Sequence, residues 1–377
     1  RASCLGMSMP NRSSRIANVH RWLSYGVRTE PPPSHWTVRS PDLLTADWEG
    51  KILSAGKHKR AHAARLRGKH GRIPDLRRQG SVIPVVVKSP SGGAVPTAVA
   101  ARVRTESVDV APHVHAEILY LEHLRGQPGV PWLFGAWFRN GTLNYVVQHA
   151  GTPLGNGLET VHLSTSYREA ASKNPLVLAA ALLRCFQSFG EGGYFMEDFL
   201  PKQFFLDGKG DRAVVYLVDG PRALSGPVYD LLKAEPEKFA GQLWPHAPQG
   251  SCLSASDCQP TKWSHCCCRA QGRASACPKG SIGAPEARGQ CNLNASEGRG
   301  AAGRCAAISL ETVIFDVAAK GYMLPLLAQA APMLQNLIDE MRLPRPQSRP
   351  TFAQVWQKLR GLSSRRDGQA ALRATQW

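Results

Sequence analysis

Two aspartates follow two hydrophobic runs in "GYFMEDFLPKQFFLDGKGDRAVVYLVDG", residues 193–220. Asp198 comes after "YFME", and Asp219 ends the run "AVVYLV". A carboxylate fixed behind a buried run can accept a proton from a substrate hydroxyl or bind a divalent metal ion, and phosphoryl transfer uses one carboxylate for each task. A single aspartate in such a place is more often a turn or helix-capping residue. The interpretation therefore depends on whether other groups complete the set.

A lysine and a glutamate that could complete the set precede both aspartates. Phosphoryl transfer uses a lysine to position the nucleotide phosphates and a glutamate to orient that lysine. Lys88 ends the strand-like run "VIPVVVK", and Glu117 lies in a helical pattern that includes Leu121 and Leu124. Each alone would be interpreted as a surface residue. Their order along the chain, together with the two aspartates, predicts a phosphoryl-transfer site.

The surrounding hydrophobic patterns predict the elements that must position these residues. Strands are expected at 81–90 ("SVIPVVVKSP") and in "PWLFGAWF" and "LNYVVQHAG", which the turn "RNGT" joins. Helices are expected at 113–126 and 174–190, and in "LETVIFDVAAKGYMLPLLAQAAPMLQNLIDEM" with a break at Pro325. A last helix, "RPTFAQVWQKLRGL", has an apolar face of Phe352, Val355, Trp356, Leu359 and Leu362. This order indicates an α+β protein, with a small β-rich lobe before a larger helical one.

These segments resemble those of a protein kinase. "EILYLEHLRGQPGVPWLFGAWF" is similar to the kinase αC helix running into the fourth strand, and "YVVQHAGTPL" is similar to the fifth strand and hinge. The resemblance implies that Lys88 and Glu117 form the ATP-positioning pair. It also implies an adenine slot lined by Val147, Gln148, His149 and Ala150.

The stretch "DFLPKQFFL" resembles the kinase catalytic loop D-x-x-x-x-N followed by apolar residues. The resemblance implies that Asp198 is the catalytic base, that Gln203 replaces the metal-binding asparagine, and that Asp219 is the magnesium-binding aspartate of D-F-G. "RPTFAQVWQKL" is similar to the last kinase helix. There Arg349 would anchor the acidic end of the activation segment.

Several segments resemble the secretory-pathway kinases of the vertebrate lonesome kinase type. "DFLPKQFFL" is similar to their D-F-x-x-x-Q-F, "CLSASDCQ" to their Cys-rich activation region, and "YMLPLLAQAAPMLQNLIDEM" to their C-terminal helices. "SAGKHK" resembles their G-S-G-x-x-K, which implies that Gly56 and Lys59 lie by the phosphates. The resemblance implies a bilobal kinase fold, ATP with Mg²⁺ or Mn²⁺, and phosphorylation of secreted or lumenal proteins on tyrosine.

The sequence departs from ordinary kinases in the phosphate-holding loop and beside both aspartates. The loop keeps only Gly56 of its glycines, "MED" replaces H-R-D, and "DGP" replaces D-F-G. Serine and alanine restrict the backbone where glycine would let it approach a phosphate closely. An alternative is therefore a catalytically weak pseudokinase that serves as a nucleotide- or protein-binding module.

Positive charge is concentrated in residues 51–80, where ten Lys and Arg accompany a single acid, within a chain of formal charge +18. A basic stretch can bind nucleic acid, anionic glycans or acidic proteins. This stretch lacks the interleaved aromatic residues of nucleic-acid modules. We expect a solvated, partly disordered loop, with acidic or anionic partners as an alternative and no nucleic acid. A polyanion-binding protein is a third hypothesis, although it explains none of the spacing above.

Eight of the ten cysteines lie between Cys252 and Cys305 in a Gly/Ser/Ala-rich region. Such density indicates disulfides in an oxidising compartment, and zinc is less favoured because the region has no C-x-x-C pair. The sequons at Asn11, Asn140 and Asn294 agree with a secretory protein. No apolar run approaches the roughly 20 residues that span a bilayer. We therefore expect a protein of the Golgi lumen or the extracellular space with no membrane span.

These patterns divide the chain into six expected regions. They are a Pro/Ser-rich lead-in that is extended or poorly ordered (1–49), a kinase N-lobe with the basic insertion (50–150), the first part of the C-lobe with the catalytic loop (151–230), a Cys-rich insertion in the activation region (231–305), the terminal C-lobe helices (306–363) and a basic tail (364–377).

Overall fold

The protein has a mixed α+β architecture in which the main β-sheet precedes most of the helices. The computed structural model describes residues 12–25, 32–44, 48–55, 59–67, 82–90, 112–139, 142–155, 163–195, 200–219, 222–223, 251–252, 258–260, 266–268, 303–304, 310–319, 323–343 and 348–363. The chain divides into two compact units, one of Arg1–Gly126, Pro131–His149 and Pro227–Gln242, the other of Gln127–Val130, Ala150–Gly226 and Leu243–Trp377. The expected basic tail and most of the expected Cys-rich insertion lie outside the described residues.

The first unit is built on a five-stranded antiparallel sheet in the order β1-β2-β3-β5-β4. Its strands are β1 (Ile52–Ala55), β2 (Lys59–Arg67), β3 (Val82–Pro90), β4 (Leu133–Arg139) and β5 (Thr142–Gln148). The expected strand at 81–90 and the expected strand pair around "RNGT" are confirmed.

Alternating side chains give this sheet two different faces. Ile83, Val85 and Val87 on β3 are buried on one face of the sheet. Because successive side chains of a strand point to opposite faces, Lys88 belongs to the other face. The buried face packs into a hydrophobic core whose members are Val38, Leu44, Trp48, Ala64, Leu66, Ile83, Val85, Val87, Phe134, Trp137 and Val146. The Lys88 face is thus available to polar partners.

The described part of the basic stretch is not the solvated loop that its composition predicts, and residues 56–58 and 68–80 lie outside the described residues. Residues 52–55 and 59–67 within it form β1 and β2. Along β2 the small or apolar residues Ala64 and Leu66 are buried while Arg65 and Arg67 are exposed. This alternation anchors the strand in the sheet despite its charge, because only one of its faces needs to be apolar.

Two helices belong to the first unit. Helix α2 (Pro112–His123) occupies the expected helical segment and follows β3 along the chain. Helix α1 (Arg12–Tyr25) lies in the region expected to be an extended or poorly ordered lead-in, so that expectation is wrong for the described part of it. The physical reason is packing: Ile16, Val19 and Trp22 of α1 are buried. The helix contacts α2.

The second unit carries six helices among the described residues. They are α3 (Thr165–Lys173), α4 (Pro175–Glu191), α5 (Leu310–Ala319), α6 (Met323–Ala330), α7 (Gln335–Met341) and α8 (Phe352–Ser363). Helix α4 is the expected buried helix, and it contacts α3, α5, α6 and α8. The apolar face expected on α8 is confirmed for Phe352, Val355 and Leu359, which are buried.

The expected helix break at Pro325 is wrong. Helix α6 begins at Met323, so Pro325 lies in its first turn. A proline is tolerated there because the N–H groups of the first turn have no intrahelical acceptor.

Short strands complete the second unit. They are β6 (Thr152–Pro153), β7 (Tyr194–Phe195), β8 (Phe204–Asp207), β9 (Val214–Leu217), β10 (Arg222–Ala223), β11 (Ser251–Cys252), β12 (Cys258–Pro260), β13 (Cys266–Cys268) and β14 (Gly303–Arg304). Strands β6, β8 and β9 form one sheet, and β8 is fixed to α4 by Phe204, whose ring stacks on Phe186 at 5.2 Å. This packing positions the segment that begins at residue 200.

Candidate functional site

Lys88, Glu117 and Lys59 form one charged cluster in the first unit. Lys88 Nζ lies 2.5 Å from Glu117 Oε1, and Lys59 Nζ donates to Glu117 Oε2. The β2–β3 register sets Ala61 opposite Lys88. Lys59, two residues before Ala61, therefore shares the face of the sheet on which Lys88 lies. Helix α2 supplies the carboxylate that both ammonium groups contact.

The cluster is largely withdrawn from water. The Glu117 side chain is 2% exposed, and those of Lys88 and Lys59 are 10% and 18% exposed. Two ammonium groups share this one carboxylate. An anion is attracted more strongly in such a place than at the surface, because the local dielectric constant is lower. The arrangement is suited to binding a phosphate group.

The residues expected to line an adenine slot lie at the end of β5. Val147 and Ala150 are buried, and Gln148 and His149 are half-buried. The backbone N–H of Gln148 donates to the Trp132 carbonyl at 2.9 Å. Its side-chain Oε1 accepts from the Trp132 N–H at 3.2 Å. The division between the two compact units falls between His149 and Ala150.

The two expected metal ligands, Gln203 and Asp219, lie at the same end of the β8–β9 pair in the second unit. Phe204 pairs with Leu217, and one step further the Val218 N–H donates to the Gln203 carbonyl at 2.9 Å. Asp219 is the next residue and is half-buried. The side-chain Oε1 of buried Gln203 accepts the Leu200 N–H at 2.8 Å, which fixes the amide orientation.

Carboxylate and amide oxygens are the ligands that Mg²⁺ and Mn²⁺ favour. Mg²⁺ in particular is usually held by one or two protein groups together with substrate phosphates. The side-chain types of Gln203 and Asp219 therefore suit such an ion. Within the described part of the chain, no group of three or more His, Cys, Asp or Glu residues could hold a metal by itself.

Two expected site residues, Asp198 and Gly56, lie outside the described residues. The nearest described residues are 195 and 200 on either side of Asp198, and 55 and 59 on either side of Gly56. Residue 195 ends β7, and residue 200 precedes a short 3₁₀ turn. Strand β1 ends at residue 55, and β2 begins at residue 59.

Sequence reasoning missed a second buried carboxylate on α2. Glu122 contacts His35, Trp36 and Arg125 in the first unit. Burial alone would raise the pKa of Glu122, but its contacts with His35, Arg125 and Trp36 outweigh burial and hold the pKa below 4.5. A glutamate inside the apolar run "ILYLEHL" is a signal of burial that could have found it.

Arg349, expected to anchor an acidic segment, is buried in the second unit. Its Nη1 donates to the Glu311 carbonyl at 2.9 Å, its Nε donates to the Leu343 carbonyl at 2.7 Å, and its guanidinium lies 4.5 Å from the Phe315 ring centre. Burial lowers the pKa of Arg349 to about 10, although nearby Asp316 and Glu311 oppose the change. The arginine thus ties α5 to the segment before α8.

No protein-family model and no curated protein sequence matches this chain significantly. The functional interpretation therefore depends on the residues and their geometry. No helix in the described ranges is both long enough and apolar enough to cross a membrane.

Proposed function

We propose that the chain is an ATP-dependent protein kinase of the secretory pathway, similar to the vertebrate lonesome kinase type, with tyrosines of secreted or lumenal proteins as acceptors. The observation that carries the proposal is the buried contact between Lys88 and Glu117. Kinases hold the ATP phosphates with a lysine on the third strand, which a glutamate on the following helix orients. Lys88 lies on the third strand of the sheet, and Glu117 lies on the helix that follows.

The order of elements supports a bilobal kinase fold as the finer description. Among the described residues, the chain forms a five-stranded antiparallel sheet with one helix between its third and fourth strands, and most of the helices follow the sheet. In the second unit, the strand pair β8–β9 follows the buried helix α4 along the chain. A kinase fold has the same order, with the catalytic loop before such a strand pair and the metal-binding turn after it.

Each residue has a defined task in the proposed reaction. Lys88 and Lys59 bind phosphate oxygens, and Glu117 keeps both ammonium groups in place. Gln203 and Asp219 would hold Mg²⁺ or Mn²⁺, which when bound neutralises negative charge on the phosphates. Asp198 orients the substrate hydroxyl and accepts its proton. The hydroxyl oxygen bonds to the γ-phosphorus, and the bond to the β–γ bridging oxygen breaks to leave ADP.

Nucleotide binding tests the phosphate-holding part of the proposal. Calorimetric titration of the wild-type chain with ATP, in the presence of Mg²⁺ or Mn²⁺, should show binding. Lys88→Met should weaken it about 10- to 100-fold, the factor expected for loss of one charge-assisted hydrogen bond. The matched control is Lys209→Met, because Lys209 is exposed and lies outside the cluster.

The outcomes separate the proposal from its alternative. If the wild-type chain binds no nucleotide, or if Lys88→Met and Lys209→Met bind ATP equally well, the proposed site is wrong. If ATP binds at Lys88 but no phosphoryl group reaches any protein acceptor, the chain is a pseudokinase that serves as a binding module.

A further inference from the structure

Helix α2 is buried on every side, which a helix packed only against a sheet would not be. Within its last three turns the buried residues include polar and apolar types alike: Val114, His115, Glu117, Ile118, Leu119, Tyr120, Leu121, Glu122 and His123. Helix α1 is among the elements that contact α2. One polar contact between them joins His20 Nδ1 and His115 Nε2 at 3.2 Å.

Glu117 and Glu122 point to different partners from the same helix. Residues five positions apart are about 140° apart around a helix axis. Glu117 contacts the two lysines of the sheet, whereas the Glu122 carboxylate, 0% exposed, contacts the N-terminal segment. His35 Nε2 lies 2.8 Å from Glu122 Oε1, and the Trp36 indole N–H donates to Oε2 at 3.2 Å.

Two arginines also lie near the Glu122 carboxylate. Arg15 of α1 lies 3.8 Å from the carboxylate, and Arg125, just after α2, lies 3.2 Å from it. One buried carboxylate therefore joins α1, the His35–Trp36 segment and the end of α2. A buried charge of this kind is costly unless its partners stay in place, so the contacts restrict where α2 can lie.

The N-terminal segment is itself fixed to the sheet beside α2. The backbone N–H groups of Thr37 and Val38 donate to the Phe134 carbonyl at 2.8 and 3.1 Å. At Gly135, which pairs with Val38 and has φ +153, an added Cβ would lie 2.0 Å from the Val38 carbonyl oxygen. Glycine thus permits the close approach of the segment to β4.

We propose that residues 12–25 and 32–44 form a built-in clamp that holds α2 in the position from which Glu117 reaches Lys88, and that Glu122 is its positioning residue. The proposal rests on the proposed function for its importance to ATP binding, but the position of Glu117 against Lys88 can be tested without nucleotide. Loss of the Glu122 contacts frees α2 to move, and Lys88 then loses the carboxylate that shields and orients it.

Amine labelling of the full-length protein with an acetylating reagent, read by mass spectrometry, measures whether Glu117 still covers Lys88. In the wild-type chain Lys88 should label slowly relative to Lys358, whose side chain is 46% exposed. Glu122→Ala should raise the labelling rate of Lys88 about fivefold or more, a typical coupling between sites. The labelling of Lys358 should not change.

Two milder variants and one control guard against a general loss of folding. Glu122→Gln removes the charge, and Trp36→Phe removes one donor, so both should raise Lys88 labelling by less than Glu122→Ala does. Leu66→Ala weakens the same unit from the opposite face of the sheet, where Leu66 belongs to the apolar core. At a temperature at which circular dichroism shows all variants folded, Leu66→Ala should leave Lys88 protected.

Measuring the ATP affinity of Glu122 variants tests whether the clamp supports the proposed ATP site at Lys88. Glu122→Gln should weaken ATP binding in the wild-type background and have no further effect in a Glu117→Gln background, because Glu122 acts through Glu117. If the folded Glu122 variants label Lys88 at the wild-type rate, or if Leu66→Ala raises the rate equally, the clamp is overturned. If labelling responds as expected but the wild-type chain binds no ATP, the clamp stands and the proposed function fails.

Discussion

At the scale of single residues, Glu117 has two partners where a kinase-like pair requires one. Lys88 and Lys59 both contact its carboxylate. The sequence predicts Lys88 and Glu117 as a pair, because the lysine ends a strand-like hydrophobic run and the glutamate lies in the helical pattern that follows. That Lys59 and Lys88 share one carboxylate could not be read, because it depends on the register between β2 and β3.

Because two lysines share the Glu117 carboxylate, we expect substitution of Glu117 to destabilise the protein more than substitution of Lys88. Glu117→Ala removes the buried carboxylate that both ammonium groups contact, and we expect it to lower the free energy of unfolding by about 3 kcal/mol or more. Lys88→Met should cost less, because Lys59 still neutralises Glu117. Urea denaturation measures both, with Lys358→Met at an exposed ion pair as a control that should change stability by less than about 0.5 kcal/mol. Equal costs for Glu117→Ala and Lys88→Met would contradict the shared pairing.

A pH dependence is expected from His123 at the end of α2. Burial first, and then the charges of Arg12 and Arg15, lower the pKa of His123 from 6.5 to about 4. The unfolded chain is therefore protonated first as pH falls. The contribution of His123 to stability is intact above pH 6.5 and decreases towards pH 4, by about 1.4 kcal/mol per pH unit.

The variant His123→Asn isolates this effect. The lowered pKa of Glu122 matters only below its ordinary value of 4.5, so between pH 6.5 and pH 4.5 the difference between this variant and the wild-type chain reports on His123. Chemical denaturation across this window should give a flatter dependence of stability on pH for His123→Asn than for the wild-type chain. Parallel curves would show that His123 is not held neutral by the fold.

At the scale of elements, hydrophobic periodicity predicted the parts whose burial is visible locally. Strand β3, the β4–β5 pair, the buried helix α4 and the terminal helix α8 all have strong patterns, and the structure has them. Helix α1 was missed because the prolines and serines of the wider region favoured an extended lead-in. The spacing of Ile16, Val19 and Leu23 is a helical pattern that could have found it.

Close packing between α4 and the loop before β4 gives a prediction at this scale. At Gly129, φ is +76 and an added Cβ would lie 2.6 Å from the Cys185 Cα in α4. Gly129→Ala should therefore destabilise the protein by about 1–3 kcal/mol or more. Gly361→Ala in α8, where an added Cβ meets nothing within 4 Å, should instead be neutral or stabilising by up to about 1 kcal/mol.

Thermal unfolding of the two glycine variants makes the comparison. A fall in the midpoint for Gly129→Ala beside an unchanged or raised midpoint for Gly361→Ala is the expected result. Similar midpoints for both variants would show that the Gly129–Cys185 approach is not tight.

At the scale of the whole molecule, the cysteines test the proposed secretory compartment. Cys185 is buried with a free thiol, and burial raises its pKa far above its usual range. By contrast, the backbone register of β12 and β13 sets Cys258 opposite Cys268. Opposite residues of an antiparallel pair have Cα atoms about 4.5–5.5 Å apart, within the range that a disulfide spans.

Because cysteines are dense between residues 252 and 305, peptide mapping under reducing and non-reducing conditions should find linked cysteines in this region in protein secreted from cells. Cys185 should stay unmodified by a thiol reagent until the chain is unfolded. If every cysteine in the 252–305 region carries a free thiol, the secretory placement is wrong, whatever the chain's activity.

The central claim, phosphoryl transfer with Asp198 as base, is tested most directly by following radiolabelled γ-phosphoryl from ATP into tyrosine of secreted-protein substrates with Mg²⁺ or Mn²⁺. The wild-type chain should transfer label, and Asp198→Ala should lower the rate about 10²- to 10⁴-fold, the usual contribution of a positioned general base. Transfer at the wild-type rate by Asp198→Ala, or no transfer by a wild-type chain that is folded and saturated with ATP, would contradict the account.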